Sequence, residues 1–544
     1  MMRIYFTDCL QKIWQNDSEF STVTQISCFE NEVAGVQLAV INDGGARDDC
    51  RFEIGGDIPF RIDRVGYVAG DYTDSPDADD YVIAKHLHVF PDPLLPVDRN
   101  AFALKGTSTN VFWFTIGTGT RLPPREYVLS IGIYDQKNEC LGCTELTVEV
   151  KRGVLPACDI PVTDWMHYDA ICNYYRIKPF GKKFWRLTEN FLCTAVSHGI
   201  NTVYVPLFTP PLDTKVGGER TTVQLVDVSE EDGAYSFDFS RLRQFLAMAK
   251  RCGVTYFEFS HLFTQWGAQA CPKIVANVKG RKKRIFGWDT PADCAEYTAF
   301  LEAFLPQFGA FLRDGGYCGR SFVHISDEPS EYWIGDYAVR RALVKRLLPD
   351  VTHIDALSEI EFLRRGLVDI PVAATETAHT FAESGKPFWV YYCLTQCMDN
   401  LSNRFMNMPS ERTRVIGMQL YESGARGFLH WAYNFYNAAL SVRQVDPFFE
   451  TDAGGFFPSG DSFIVYPGKD GAYSSVRFEV FRAAIQDYRA LKLLESLIGR
   501  ARTIGLLKEY GIEGFTQYPH GSAAFLAVRR AIDAAIGENI RTES

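Results

Sequence analysis

Phe184–Phe208 reads FWRLTENFLCTAVSHGINTVYVPLF. Phe184, Leu187, Phe191 and Ala195 recur on one face of a 3.6-residue period, which predicts an amphipathic helix. Gly199 stands where a helix of this kind takes its C-terminal cap, and Thr202–Phe208 follows as a β-rich, apolar run suited to a buried strand. The unit recurs along the chain. Strand-like runs lie at Trp165–Cys172, Thr202–Phe208, Thr255–His261, Phe322–Asp327, His353–Leu357, Ile370–Thr375, Phe388–Cys393 and Gly427–Asn434. Between them, a second helix opens at Ser240, carries Leu242, Phe245, Leu246 and Ala249 on one face and stops at Gly253. A longer helix begins at Pro291, and a last amphipathic one runs from about Ser475 to Ile498. Eight β/α units in series predict a (β/α)8 barrel of the α/β class, with an open doubly wound sheet as the alternative.

Working outward, residues 1–152 have a different texture. Val33–Ile41, Val111–Ile116 and Tyr127–Tyr134 are β-rich runs, Phe90–Asp98 reads as Pro- and Asp-rich punctuation, and Thr144–Val150 alternates with Leu146, Val148 and Val150 on one face. This predicts an N-terminal β-sandwich. Gly153–Pro161 suits a connector. The expected organisation is therefore a sandwich at 1–152, a barrel at 153–500 and a helical extension at 501–544 that includes a helix at Ser522–Ile536. A chain of 544 residues exceeds what one hydrophobic core fills, in keeping with several domains.

Composition narrows the function. With 56 Lys+Arg against 67 Asp+Glu the net charge is −11, the wrong sign for a phosphate-neutralising face, so no nucleic-acid partner is expected. The one tight basic run, Lys279–Arg284, reads as a solvated loop. No apolar stretch is long enough for a membrane span, and Met1–Gln15 mixes Arg3, Asp8 and Lys12 into its apolar positions, unlike a signal peptide. Of the 14 cysteines, Cys172, Cys193, Cys252, Cys294 and Cys393 sit within apolar patterns as reduced, small hydrophobes would, which suggests a cytoplasmic protein. Cys140 and Cys143 form a C-x-x-C without a second pair to complete a zinc site. The first strand run offers only His167, and His86-Leu87-His88 falls in the sandwich, so no metal is expected. Gly455–Gly460 is followed by Asp461 where a phosphate-binding loop needs lysine. No cofactor is expected.

In a (β/α)8 barrel the chemistry sits where strands end. The fourth strand run ends Val323-His324-Ile325-Ser326-Asp327-Glu328-Pro329, two adjacent carboxylates before a strand-breaking proline. Neighbours on a strand face opposite ways, but both can turn to the barrel mouth where the strand unwinds. Paired acids suggest glycoside hydrolysis, with one carboxylic acid protonating the leaving oxygen. The usual second carboxylate is absent from the seventh run, Phe388–Leu394, and from the end of the eighth, His430-Trp431-Ala432-Tyr433-Asn434. Glu258 and Glu376 are the other strand-end acids, and Glu376 also suits the first turn of the next helix. A missing nucleophile is expected if a 2-acetamido oxygen of the substrate attacks the anomeric carbon. Trp431 is the candidate for the floor under the sugar, and Tyr391 or Tyr392 for a donor, since alternation turns only one inward. His430 and Asn434 are candidates for hydroxyl binding, Asn403 and Arg404 for reaching the site from a loop, and His324 for substrate contact or a satisfied core position.

Phe322–Pro329, Tyr391-Tyr392-Cys393-Leu394 leading to Asn403-Arg404-Phe405, Gly427-Phe428-Leu429-His430-Trp431 with Asn434, and Asp461–Gly468 with Ser475–Tyr488 together resemble glycoside hydrolase family 123 and its related barrel proteins of unknown function. Asn31-Glu32 and Gln37 extend the likeness into the first domain. The sequence departs from the family pattern at Ala432-Tyr433 and at Arg482-Ala483-Ala484. The resemblance implies a β-sandwich before the barrel and a retaining exo-β-N-acetylhexosaminidase, specifically a β-N-acetylgalactosaminidase, working by substrate assistance. It further implies Glu328 as acid/base and Asp327 as the residue orienting the acetamido group. The alternatives are a glycosidase of other specificity with its own carboxylate nucleophile, Glu258 or Glu376, and a non-catalytic carbohydrate-binding barrel.

Overall fold

The computed structural model describes residues 2–71, 78–117 and 121–542. The N-terminal region is two five-stranded sheets packed face to face. One runs Arg3–Thr7, Ala34–Asn42, Ser108–Ile116, Phe60–Gly70, His88–Pro96; the other Gln25–Phe29, Cys140–Lys151, Glu126–Tyr134, Arg47–Gly55, Phe102–Leu104. Leu38, Phe112, Phe114, Ile131, Leu146 and Val148 interdigitate between them. Ser108–Ile116 is apolar on both faces because its sheet is covered twice: Val111 and Trp113 turn away from the sandwich core into the cluster shared with the barrel. The Phe90–Asp98 punctuation is mostly a strand, His88–Pro96. It lies at the edge of its sheet, where prolines cost no ladder hydrogen bond, and its outer side takes the Leu94 N–H to Ser474 O bond (2.9 Å).

The barrel closes from eight parallel strands: Val162–Asp164, Thr202–Val205, Tyr256–Phe259, Ser321–Val323, Thr352–Leu357, Ile370–Ala374, Trp389–Tyr391 and Phe428–His430. The first differs from the sequence reading. The eighth strand pairs Val162 with Phe428 and Asp164 with His430, beyond which only Trp165 continues the backbone pairing, donating to His430 O (2.9 Å) and accepting from Tyr433 N–H (3.0 Å), and Tyr168–Tyr174 winds into a helix. Gly427 has no alternative, since a Cβ there would meet the Trp389 ring at 2.3 Å.

Helices Lys182–Ser197 and Ser240–Cys252 end at Gly199 (φ 95°) and Gly253 (φ 101°), conformations a glycine adopts without strain. The helix expected from Pro291 starts at Ala295 and ends at Asp314. Lys279–Arg284 is not a loop: Ile274–Val278 and Arg281–Phe286 form a hairpin whose turn residues Lys279 and Gly280 both have positive φ, within a four-stranded sheet the sequence reading did not foresee. Cys193 and Cys252, expected to be reduced, are joined as a disulfide between the two neighbouring helices, which removes part of the basis for a cytoplasmic setting.

Val476–Ile498, capped by the Ser475 side chain at Phe478 N–H, carries the C-terminal helices Arg500–Glu509 and Ser522–Thr542. Buried charges knit these parts together. Arg529 pairs with Glu32 (2.8 Å), Asp487 (2.6 Å) and Asp533 (2.8 Å), and Arg477 with Asp92 (2.9 Å), so sandwich, barrel and extension share ion pairs. Among the described residues no helix is long and apolar enough to cross a membrane.

Candidate active site

A cavity of about 310 Å³ opens at the C-terminal ends of the barrel strands. Alternation decides what reaches it. On the seventh strand Trp389, Tyr391 and Cys393 turn into the barrel, whereas Val390 and Tyr392 turn out into the core beneath the helices. Tyr391 therefore lines the cavity. Tyr392 packs against the rings of Phe428 and His430, with centroids 5.0 and 5.5 Å away.

Asp327 and Glu328 both line the cavity, Asp327 half-buried and Glu328 exposed to it. The fourth strand has already ended at Val323, and Glu328 sits at φ 44°, a left-handed conformation costly for a non-glycine residue. That twist brings consecutive side chains to one mouth. The surroundings clamp it: Trp266 N–H donates to Asp327 O (2.8 Å), and Glu328 N–H to Ala356 O (3.2 Å). The Tyr391 hydroxyl donates to Glu328 Oε1 (2.8 Å). The enclosing wall pushes both carboxyls above their ordinary range; the adjacent negative charge of Glu328 pushes Asp327 further, and that of Glu376 adds to the rise of Glu328.

The Tyr391 hydrogen bond favours the ionised form of Glu328. Removing it in Tyr391→Phe should raise the Glu328 pKa and move the alkaline limb of the kcat/KM profile to higher pH, with a loss of about tenfold at the optimum. A limb that stays in place or moves down would contradict this coupling.

Below the acids lies a sealed polar layer. Glu258 is wholly buried and accepts from Thr163 Oγ1 (2.6 Å), Trp165 Nε1 (2.7 Å) and His324 Nε2 (2.6 Å). The other nitrogen of His324 faces Asp355 Oδ1 (3.1 Å). Burial alone would lower the His324 pKa, but hydrogen bonds to two carboxylates override it and hold it at about 9. Its folded pKa thus exceeds the ordinary value of about 6.5, so its stabilising contribution is complete below that pH and fades as pH rises through 9. The Tm difference between wild type and His324→Gln should shrink between pH 6.5 and 9.5; a constant difference would refute the charged assignment. Ligand atoms of His261, His324 and Asp355 lie within 4.8 Å of one another, close enough for a metal in principle, but both His324 nitrogens are already turned to carboxylates.

Of the residues singled out in the sequence, the structure brings Asp327, Glu328, Tyr391 and Trp431 to the cavity. Trp431 is held through Nε1 to Asp461 Oδ2 (3.0 Å) and by the ring of Phe435 at 5.1 Å. The remainder serve the wall. Asn434 accepts from His167 N–H (2.8 Å) and donates to His167 O (3.2 Å), tying the ends of strands eight and one. Asn403 donates to Cys393 O and Gln396 O (2.8 and 2.9 Å), closing its own loop. His430 Nδ1 accepts from Arg404 (2.7 Å), whose guanidinium is spent on Asp164. These groups, with His324 and Tyr392, are buried and do not line the cavity. They lose the sugar-binding role because their hydrogen-bonding atoms face backbone, charges or core.

Glu376 precedes the helix Ala378–Glu383 rather than lying in its first turn, and accepts from Gln396 Nε2 (2.7 Å). Sequence reasoning missed Trp165, Asp213 and Trp266. The position of Trp165 just past the first strand was a usable signal. Asp213 and Trp266 lie in long excursions after strands two and three, where no pattern points inward. Trp266, Leu440 and Phe456 line the mouth while remaining 48%, 37% and 68% exposed, an apolar rim around the opening.

An acid pair at the mouth of a closed parallel barrel is the arrangement of a barrel glycoside hydrolase. A model of the glycoside hydrolase 123 catalytic domain matches residues 165–494, more than half of the chain. The chain belongs to glycoside hydrolase family 123 and is a glycoside hydrolase acting on carbohydrate. Among solved structures it is similar to a family 123 glycoside hydrolase from Clostridium perfringens, studied for glycolipid glycan hydrolysis, at 13% identity and a TM-score of 0.74 over 100% of this chain and 99% of that one. It is similar at 11% identity and a TM-score of 0.33 to a GH2 β-galacturonidase from Eisenbergiella tayi, over 89% of this chain and 71% of that one. No curated protein sequence matches it.

Proposed function

We propose that the protein is a retaining exo-β-N-acetylhexosaminidase, selective for terminal β-linked N-acetylgalactosamine, that works by substrate assistance without a cofactor. The observation that carries this reading is the adjacent Asp327–Glu328 pair at the cavity, with Glu258 sealed below it and Glu376 outside the lining. The acetamido oxygen attacks C1 as protonated Glu328 gives its proton to the leaving oxygen, and the Asp327 carboxylate accepts a hydrogen bond from the amide N–H and steadies the positive charge of the resulting protonated oxazoline. Glu328, now a carboxylate, takes a proton from water as water opens the oxazoline at C1, and the starting configuration returns. The cycle needs Glu328 protonated and Asp327 ionised, a loading that the bound acetamido N–H favours by donating to Asp327. Trp431 offers an aromatic face to the pyranose. The apolar rim of Trp266, Leu440 and Phe456 supports an aglycone with an apolar portion, as in the glycolipid glycans named for the C. perfringens protein.

The test is a hydrolysis screen with aryl β-N-acetylgalactosaminide, β-N-acetylglucosaminide and β-galactoside. Turnover of the first, with inhibition by a thiazoline mimic of the oxazoline, is expected. Trapping by a 2-fluoro sugar would point to a carboxylate nucleophile instead, and inertness toward all three would favour a binding protein.

A further inference from the structure

We propose that Asp213 is a specificity residue of this site, accepting a hydrogen bond from a ring hydroxyl of the terminal sugar remote from the reacting carbon. The inference rests on the glycosidase reading above. Asp213 lies beyond the second barrel strand and is a third carboxylate of the cavity wall, which Leu212, Leu394 and Leu429 also line. Its Oδ2 accepts the Leu440 N–H (2.9 Å), and among the described residues no donor meets its Oδ1.

The residue is held firmly. Its own N–H donates to Gln265 Oε1 (2.7 Å), and its carbonyl accepts from Ser441 Oγ (2.7 Å). Asp213, Leu440 and Ser441 have φ of 36°, 57° and 53°, so three non-glycine residues keep left-handed backbones at one contact. Such conformations persist only where the surroundings enforce them, and they cluster where a side chain must be pre-positioned. In this largely apolar lining the carboxylate has one backbone donor for its two oxygens. Burial pushes its pKa up to about 6 in spite of the Leu440 N–H and the nearby Arg220. A bound sugar hydroxyl supplies the missing donor, in a charge-assisted bond that a neutral side chain would make less well. With one oxygen already committed to Leu440, Asp213 is arranged to bind rather than to attack.

The test compares wild type and Asp213→Asn on the aryl N-acetylhexosaminide that the wild type turns over and on its 3-, 4- and 6-deoxy analogues. Asparagine keeps an acceptor for Leu440 N–H, and an unchanged Tm would confirm that the loop stays closed. In the wild type, one deoxy substrate should lose about 10- to 100-fold in kcat/KM. In Asp213→Asn the parent should fall by a similar factor, mainly through KM, and that same deoxy substrate should suffer little further loss. Equal deoxy penalties in both proteins would overturn the proposal. So would a collapse of kcat rescued by azide with a glycosyl azide product, which would make Asp213 the nucleophile. Wild-type turnover and thiazoline inhibition of the parent report on the glycosidase reading separately.

Discussion

Glu328→Gln is expected to lower kcat/KM by about 10² to 10⁴ on a glycoside with a poor leaving group, the range a positioned general acid contributes. The loss should shrink for a dinitrophenyl glycoside, whose leaving oxygen departs without a proton. The alkaline limb of the pH profile, which reports deprotonation of the acid, should vanish for the variant. Glutamine still accepts the Tyr391 hydroxyl that meets Glu328 Oε1 at 2.8 Å, so the cavity should keep its shape and Tm should barely move. Equal losses on activated and unactivated substrates would show that Glu328 does not deliver the proton. The parallel measurement is a comparison of leaving groups at fixed pH, with each variant checked for folding by thermal melting.

Asp327→Asn is expected to cost a comparable factor of about 10² to 10⁴, with a different signature. Its job is to accept the amide N–H as charge develops on the acetamido group, so the loss should be independent of the leaving group. Affinity for the thiazoline mimic should fall with it. The substitution also removes a negative neighbour from a coupled pair. The Glu328 pKa should therefore drop and the alkaline limb should move to lower pH, opposite in sign to the shift expected for Tyr391→Phe. If inhibitor affinity survives intact while turnover is lost, Asp327 does not handle the acetamido group.

The barrel was legible because each helix and strand carries its period locally. The face of Phe184, Leu187, Phe191 and Ala195 and the glycines at 199 and 253 needed no tertiary information. The acids at 327–328 were legible too, because strand ends are where a barrel exposes chemistry. His430, Asn434 and Asn403 were misjudged for one reason: a polar residue near the mouth bonds either to substrate or to the wall, and composition does not distinguish them. Asn434 is spent on His167, and His430 on Arg404. Asp213 carried no sequence signal, because its place in the cavity follows from how its loop docks on Leu440 and Ser441.

From its residues alone, then, this chain settles its barrel, its sandwich and the two neighbouring acids, since periodicity and strand breaks act over a few residues at a time. Only the folded structure decides which of Tyr391 and Tyr392 meets the cavity, that Glu258 is sealed beneath it, and that a third carboxylate joins the wall. Those outcomes turn on where each strand stops and on contacts between segments far apart in the chain. There, the pairing of short neighbours and the cost of burying a charge without partners outweigh local preference.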